Sequence, residues 1–193
     1  MPRVKQFDEH EVLTKAMELF WKKGFHATSM QDLVDHLGIN RASIYDTYGG
    51  KRALFNKAFN EYRRLSLSSM RDFLDQYEST RDGIQALFEQ AVHDSLNDPE
   101  QKGCMVVNST TELLPTNDGL KDILTANKDH AIQIFVEYLQ RGVDRGEISA
   151  NKDLESIAGL LYTIYGGLRI VTKIDFDQDK LMQIIKTGMV VLD

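Results

Sequence analysis

Apolar residues recur every three or four positions along almost the whole chain, and sustained alternation of apolar with polar residues is hard to find. Val12, Leu13, Ala16, Met17 and Phe20 line one face of a first stretch. Ile84, Leu87, Phe88, Ala91, Val92 and Leu96 line a second, and Ile132, Phe135, Val136 and Leu139 a third. Leu181, Ile184, Ile185 and Val191 do the same near the end. Only Pro2, Pro99 and Pro115 interrupt this period. The spacing, with its caps and breakers, predicts helices over about 8–23, 28–37, 41–47, 51–76, 81–97, 104–114, 118–145, 153–173 and 178–191. Asp98-Pro99 ends one segment, Pro115 with Asn117 and Asp118 punctuates another, and Gly142 and Gly146 close the long helix. The expected fold class is all-α, with about nine helices.

The most informative segment runs from residue 28 to 48, TSMQDLVDHLGINRASIYDTY. Thr28 with Gln31 has the form of a capping box, and Ser29 with Asp32 offers a competing frame. Leu33, Val34 and Leu37 give the short helix that follows a buried stripe. Gly38 suits the left-handed conformation that ends a helix, and Asn40 is a good cap for a second short helix beginning at Arg41. Two such helices joined by a three-residue turn form a helix-turn-helix. Ile44 and Tyr48, four apart, point to the core. Arg41, Ala42, Ser43, Tyr45, Asp46 and Thr47 are left for an outer face that is small and polar, as entry into the major groove requires. Arginine pairs with guanine O6 and N7, and hydroxyls take phosphate oxygens. Lys51 and Arg52 follow at once, at the start of the next helix.

Charge at first argues the other way. The 193-residue chain has net charge −6, which is unpromising for a nucleic-acid partner. Its distribution reverses that reading. Residues 1–64 hold 11 Lys and Arg against 8 Asp and Glu, a balance of +3, and the remainder holds 12 against 21, a balance of −9. The head can face an anion while the body does not. Composition excludes other classes. With 42% hydrophobic and 27% charged residues the chain is not disordered. A lone cysteine, Cys104, suits a reducing cytoplasmic setting. The charged MPRVKQFDEH start is no signal peptide, and no apolar run approaches the roughly 18 residues of a membrane span.

Residues 7–60 resemble the DNA-binding domain of the TetR family of transcriptional repressors. The resemblance rests on Val12, Ala16, Leu19-Phe20, Gly24-Phe25, Thr28-Ser29, Gly38-Ile39-Asn40, Ile44-Tyr45, Tyr48, Lys51 and Leu54-Phe55. It implies a helix-turn-helix domain over residues 6–66 and a helical effector-binding and dimerisation domain over 67–193. It places Gln31, Arg41, Ala42, Ser43 and Asp46 near base edges, and Thr28, Tyr45, Thr47 and Lys51 near phosphates. Two positions depart from the family. Thr47 replaces a common histidine, and Gly49-Gly50 stands where Pro or Lys and then Ser or Asn is usual, which would loosen the joint behind the recognition helix. Asp46 either accepts from cytosine N4 or orients Arg41 or Lys51, and repulsion by phosphate favours the orienting role.

No catalytic set stands out: GxSxG, HExxH and GxxxxGK are all missing from the sequence. Cys104, followed by Met105, Val106 and Val107, reads as a packed, inert thiol. The alternatives are a metal-sensing regulator using His93, Cys104 and His130, or a helical-bundle enzyme that does not bind DNA. Both lack clustered ligands and carboxylates, so neither a cofactor nor a metal is expected. For an effector pocket the acidic body offers Phe88, Cys104, Asn108, Thr111, Phe135, Tyr138, Tyr162 and Tyr165, aromatic and polar groups on otherwise apolar helices. Gly159, Gly166 and Gly167 clear one face of the helix at 153–173. With Leu181 and Ile185 of the last helix they form the expected dimer interface, the alternative being tight packing within the chain. A twofold dimer reading a palindromic operator doubles the few bases one helix can reach.

Overall fold

The computed structural model describes residues 7–116, 118–174 and 177–193. Among the described residues there are nine α-helices and no strand, so the fold is all-α. They are α1 (Glu9–Lys23), α2 (Met30–Leu37), α3 (Arg41–Tyr48), α4 (Lys51–Leu74), α5 (Thr80–Asn97), α6 (Met105–Leu113), α7 (Asp118–Asp144), α8 (Leu154–Val171) and α9 (Gln178–Met189). Short 3-10 turns follow α6 at Leu114–Thr116 and α9 at Val190–Leu192. Asn117 and residue 6, where the first domain was expected to begin, lie outside the described residues.

The boundaries follow from side-chain caps. Asp8, Asn40, Ser79, Asp153 and Asp177 each accept a backbone N–H of the first turn of their helices. Gly142 behaves differently from the expectation that it would close the long helix, because it lies inside α7. A methyl group there would sit 2.8 Å from Thr80 Oγ1 and 2.9 Å from Ile148 Cδ1, so the glycine serves close packing. The chain turns at Gly146, in the left-handed region at φ +75°.

The helices fall into two compact units. The first comprises residues up to Leu65 together with Cys104–Thr116, so it contains α1, α2, α3, the start of α4, and α6. Its core holds Val12, Ala16, Phe20, Leu33, Ile44, Leu54, Phe55 and Phe59. Phe55 meets Phe20 edge-on at 5.2 Å and stacks on Phe59 at 5.6 Å. The second unit contains the rest of α4 with α5, α7, α8 and α9. There α5 packs against α7, α8 and α9 around Phe88, Phe135, Leu139, Leu161 and Ile185.

Candidate nucleic-acid interface

The reading head is built on capped turns. Between α1 and α2 the chain turns at Gly24, whose φ of +80° suits glycine and whose N–H donates to Phe20 O at 2.8 Å. Of the two capping frames open to the sequence, Ser29 and Asp32 form the box. Ser29 Oγ accepts the Asp32 N–H at 3.0 Å, and Asp32 Oδ2 accepts the Ser29 N–H at 2.8 Å. Lys23 Nζ lies 2.7 Å from the other carboxylate oxygen. The Lys23 bond, together with the Ser29 N–H and the Ser29 hydroxyl that donates to Oδ2 at 2.7 Å, holds Asp32 well below the ordinary carboxylate range.

Thr28 departs from both roles expected of it. It does not start the helix, and at 0% exposure its side chain cannot reach a phosphate. Its hydroxyl donates instead to Gly24 O at 2.6 Å and closes the turn.

Gly38, left-handed at φ +68°, ends α2, and Asn40 caps α3 by accepting the Ser43 N–H at 2.8 Å. Ile44 and Tyr48 are buried, as their spacing predicts. The Tyr48 hydroxyl donates to Glu9 O at 3.2 Å and so ties the recognition helix to the start of α1. Burial pushes the pKa of that hydroxyl up from its usual value. Arg41, Ala42, Tyr45 and Asp46 are exposed on the opposite face, and Ser43 and Thr47 are half-buried beside them. Gln31 is exposed on α2, where its amide bonds Asp35 at 2.8 Å.

The expected orienting partner of Asp46 is not found. Among the described residues no ion pair joins it to Arg41 or Lys51. The Arg41 guanidinium lies 5.9 Å from the Tyr45 ring centre, and the Lys51 ammonium 4.4 Å from that of Phe25.

The joint behind α3 is also tighter than two adjacent glycines suggest. Gly49 caps the helix at φ +83° and donates to Tyr45 O at 2.9 Å. Gly50 is buried at φ +101°, with the Tyr45 ring lying where a side chain would be.

Sequence reasoning missed the partners that hold the turn between α1 and α2. Arg52 stacks on Phe25 at 3.7 Å, and Glu112 of α6 bonds the turn's backbone. The adjacency of Lys51 and Arg52 hinted at the first. The second spans 86 and 87 residues, and no local pattern marks it.

The eight residues expected at an effector pocket are divided between the two units. Cys104, Asn108 and Thr111 belong to the first unit, while Phe88, Phe135, Tyr138, Tyr162 and Tyr165 belong to the second. Thr111 is exposed, with its hydroxyl donating to Asn108 O at 2.9 Å within its own helix. The Tyr138 hydroxyl reaches the carbonyls of Tyr77 and Ser79 at 3.3 and 3.4 Å, so it closes the loop before α5. Phe88, Phe135 and Tyr165 do cluster. Tyr165 stacks on Phe88 at 5.6 Å and meets Phe135 edge-on at 6.5 Å. Arg169 covers the Tyr165 ring at 4.4 Å. Among the described residues no three His, Cys, Asp or Glu side chains are placed to hold a metal, and no helix is long and apolar enough to cross a membrane.

The expected interface separates by burial. Leu181 and Ile185, at 1% and 0% exposure, are core residues of their own unit and present no side chain to a partner. Gly159, Gly166 and Gly167 have open space where a side chain would project, which removes tight packing within the chain as their explanation. Leu160 of α8 and Ile184 of α9 are 44% and 49% exposed. They share an open groove of about 680 Å³ with Ile164, Gly188 and Val191.

This arrangement is matched elsewhere. The family described as bacterial regulatory proteins, tetR family, matches residues 12–58, and the tetracyclin repressor-like C-terminal domain matches residues 81–187. The HTH-type transcriptional regulator YezE of Bacillus subtilis is 34% identical over 195 aligned residues, covering all of both chains. The HTH-type transcriptional repressor ComR of Escherichia coli is 29% identical, over 97% of this chain and 90% of its own. In solved structures, the TetR family regulator CifR, as a cysteine mutant complexed with double-stranded operator DNA, superposes with a TM-score of 0.86 at 27% identity. That match covers 99% of this chain and 100% of CifR. With both halves of the family matched and a relative aligned end to end, the chain belongs to the tetR family of helix-turn-helix transcriptional regulators.

Proposed function

We propose that the protein is a repressor that binds a palindromic operator as a homodimer and is released when a small molecule occupies its body. The observation that carries this reading is the exposed polar face of α3, set between caps at Asn40 and Gly49 and backed by buried Ile44 and Tyr48. In this reading Arg41, Ala42, Ser43, Asp46 and Gln31 face base edges, and Tyr45, Thr47, Lys51 and Arg52 face phosphates. The exposed Asp46 carboxylate then serves as an acceptor for cytosine N4. CifR's complex with operator DNA and ComR's description as a repressor support the same assignment.

The open glycines of α8 and the apolar groove between α8 and α9 support the second copy. An apolar face of this kind is stabilised by burial, and small residues let two helices approach closely. An effector of apolar or aromatic character would suit a body built around Phe88, Phe135 and Tyr165, which pack on one another and would have to part to admit it. Release needs only that the effector bind better to the dimer spacing that does not fit the operator. The proposed activity is binding in the cytoplasm, without catalysis. Selection of bound fragments from random double-stranded DNA tests it. The expected product is a palindrome with half-sites about one helical turn apart or a multiple of it. Enrichment of no sequence, or of a lone asymmetric half-site, would contradict the dimeric reader.

A further inference from the structure

The Glu112 side chain lies at a place the DNA-reading surface alone does not explain. Its carboxylate accepts two successive backbone N–H groups, from Phe25 to Oε2 at 3.1 Å and from His26 to Oε1 at 2.7 Å. Gly24 makes that approach possible, because a methyl group on it would come within 2.9 Å of Oε2. The same short turn is closed from its other side by the buried Thr28 hydroxyl. Charge-assisted bonds from a carboxylate to two backbone donors are strong and directional, so the backbone of Phe25 is fixed.

The Phe25 ring carries the consequence outward. It is buried against Phe20 and Phe55, at 6.3 and 5.1 Å, and it supports the Lys51 ammonium at 4.4 Å and the Arg52 guanidinium at 3.7 Å. Those two cations stand at the first turn of α4, next to the recognition helix. We propose that Glu112 is a positioning residue for DNA binding: by clamping the Phe25–His26 backbone it fixes the aromatic platform that holds Lys51 and Arg52 towards the phosphates. The proposal rests on the DNA-binding reading above. The clamp comes from α6, which follows the reading helices by more than fifty residues in sequence. α6 is also held at its start, where the Met105 N–H donates to the Tyr62 hydroxyl at 3.3 Å.

Simple electrostatics predicts the opposite sign, which makes the idea testable. Burial and then Arg52 lower the Lys51 pKa, and the negative charges of Glu112 and Asp32 act in the other direction. Removing a negative charge from a DNA-binding head should by itself tighten binding. Positioning predicts weaker binding. The experiment titrates the full-length chain with a double-stranded DNA of random sequence at several salt concentrations, for the unmodified protein, Glu112→Gln, Glu112→Ala and Lys51→Ala/Arg52→Ala. The glutamine substitution would keep the size of the side chain but offer one acceptor oxygen, and its NH2 would face the second N–H.

Both Glu112 variants should bind roughly tenfold more weakly at low salt, a loss of about 1.4 kcal/mol. The slope of log affinity against log salt should shrink by about 0.9 for each cation released. Adding Glu112→Ala to the double cation variant should then change little. An unchanged slope, tighter binding, or a full additive loss in the triple variant would overturn the role of Glu112. If Glu112→Ala does not fold, Glu112→Gln gives the same decision, and amide exchange at Phe25 and His26 must accelerate in it. No binding of any duplex by the unmodified chain would overturn the DNA-binding reading, and this one with it.

Discussion

Replacing Gly50 with alanine separates two costs that usually arrive together. The backbone at Gly50 has φ +101°, beyond the small left-handed basin that other residues tolerate near +60°. Forcing an L side chain into that region costs about 1–3 kcal/mol. The added methyl would also sit 2.9 Å from Tyr45 Cε1 and 3.3 Å from Cδ1. Tyr45 is 48% exposed, so its ring can swing into solvent at little cost to the fold. The steric part of the penalty should therefore appear in DNA binding, because the ring leaves the face it shares with Arg41.

Gly38→Ala is the control. Its φ is +68° and nothing lies within 4 Å of the new methyl, so only a backbone cost of about 1–2 kcal/mol remains. Thermal melts should fall by about 2–4 °C for each kcal/mol in a chain of this size. Both variants should melt lower, and only Gly50→Ala should lose operator affinity, by about tenfold. Gly50→Ala matching Gly38→Ala in DNA binding would refute the claim that the glycine places Tyr45.

Two further outcomes follow from the geometry. Gly166→Ala should raise the stability of the isolated chain by roughly 0.5–1 kcal/mol, since alanine is the better helix former and the space is open. It should weaken the dimer in sedimentation if a second copy approaches there, and an unchanged dimer constant would move the interface elsewhere. The Asp32 carboxyl is depressed in the folded state, so its contribution is complete above the unfolded value of about 3.9 and is lost as pH falls towards the lower folded value. Urea midpoints measured from pH 5 downwards should drop less steeply in Asp32→Asn, and parallel curves would remove Asp32 from the acid response.

Local signals in the sequence were enough to place most helix ends. Asn40 and Gly49 bound α3 because one supplies an acceptor for the first turn and the other a left-handed exit, and both choices are made by neighbouring atoms. The capping frame of α2 was ambiguous because Thr28/Gln31 and Ser29/Asp32 satisfy the same pattern. Burial decided it, since Thr28 is enclosed and its hydroxyl is engaged by Gly24 O. Apolar spacing marked Leu181 and Ile185 correctly as residues that avoid water, but spacing does not tell a chain's own core from a partner's surface. Their neighbour Ile184 is the exposed apolar residue of that helix.

The Tyr138 hydroxyl and the Glu112 carboxylate were beyond reach for a common reason. Each bonds backbone groups about 60 or more residues away, and periodicity reports only which side of a helix is wet. Glycine was misread where its role includes closeness, as at Gly142 against Ile148 and at Gly50, which combines a positive φ with a ring packed beneath it.

The central claim is that α3 reads base edges through Arg41. The direct measurement compares Arg41→Ala with the unmodified protein on the selected operator and on random duplex at one salt concentration. The account predicts a loss of roughly 1–3 kcal/mol on the operator, with relaxed preference at the contacted base pair and near-normal binding to random DNA. Equal affinity and an unchanged footprint on the operator would contradict it.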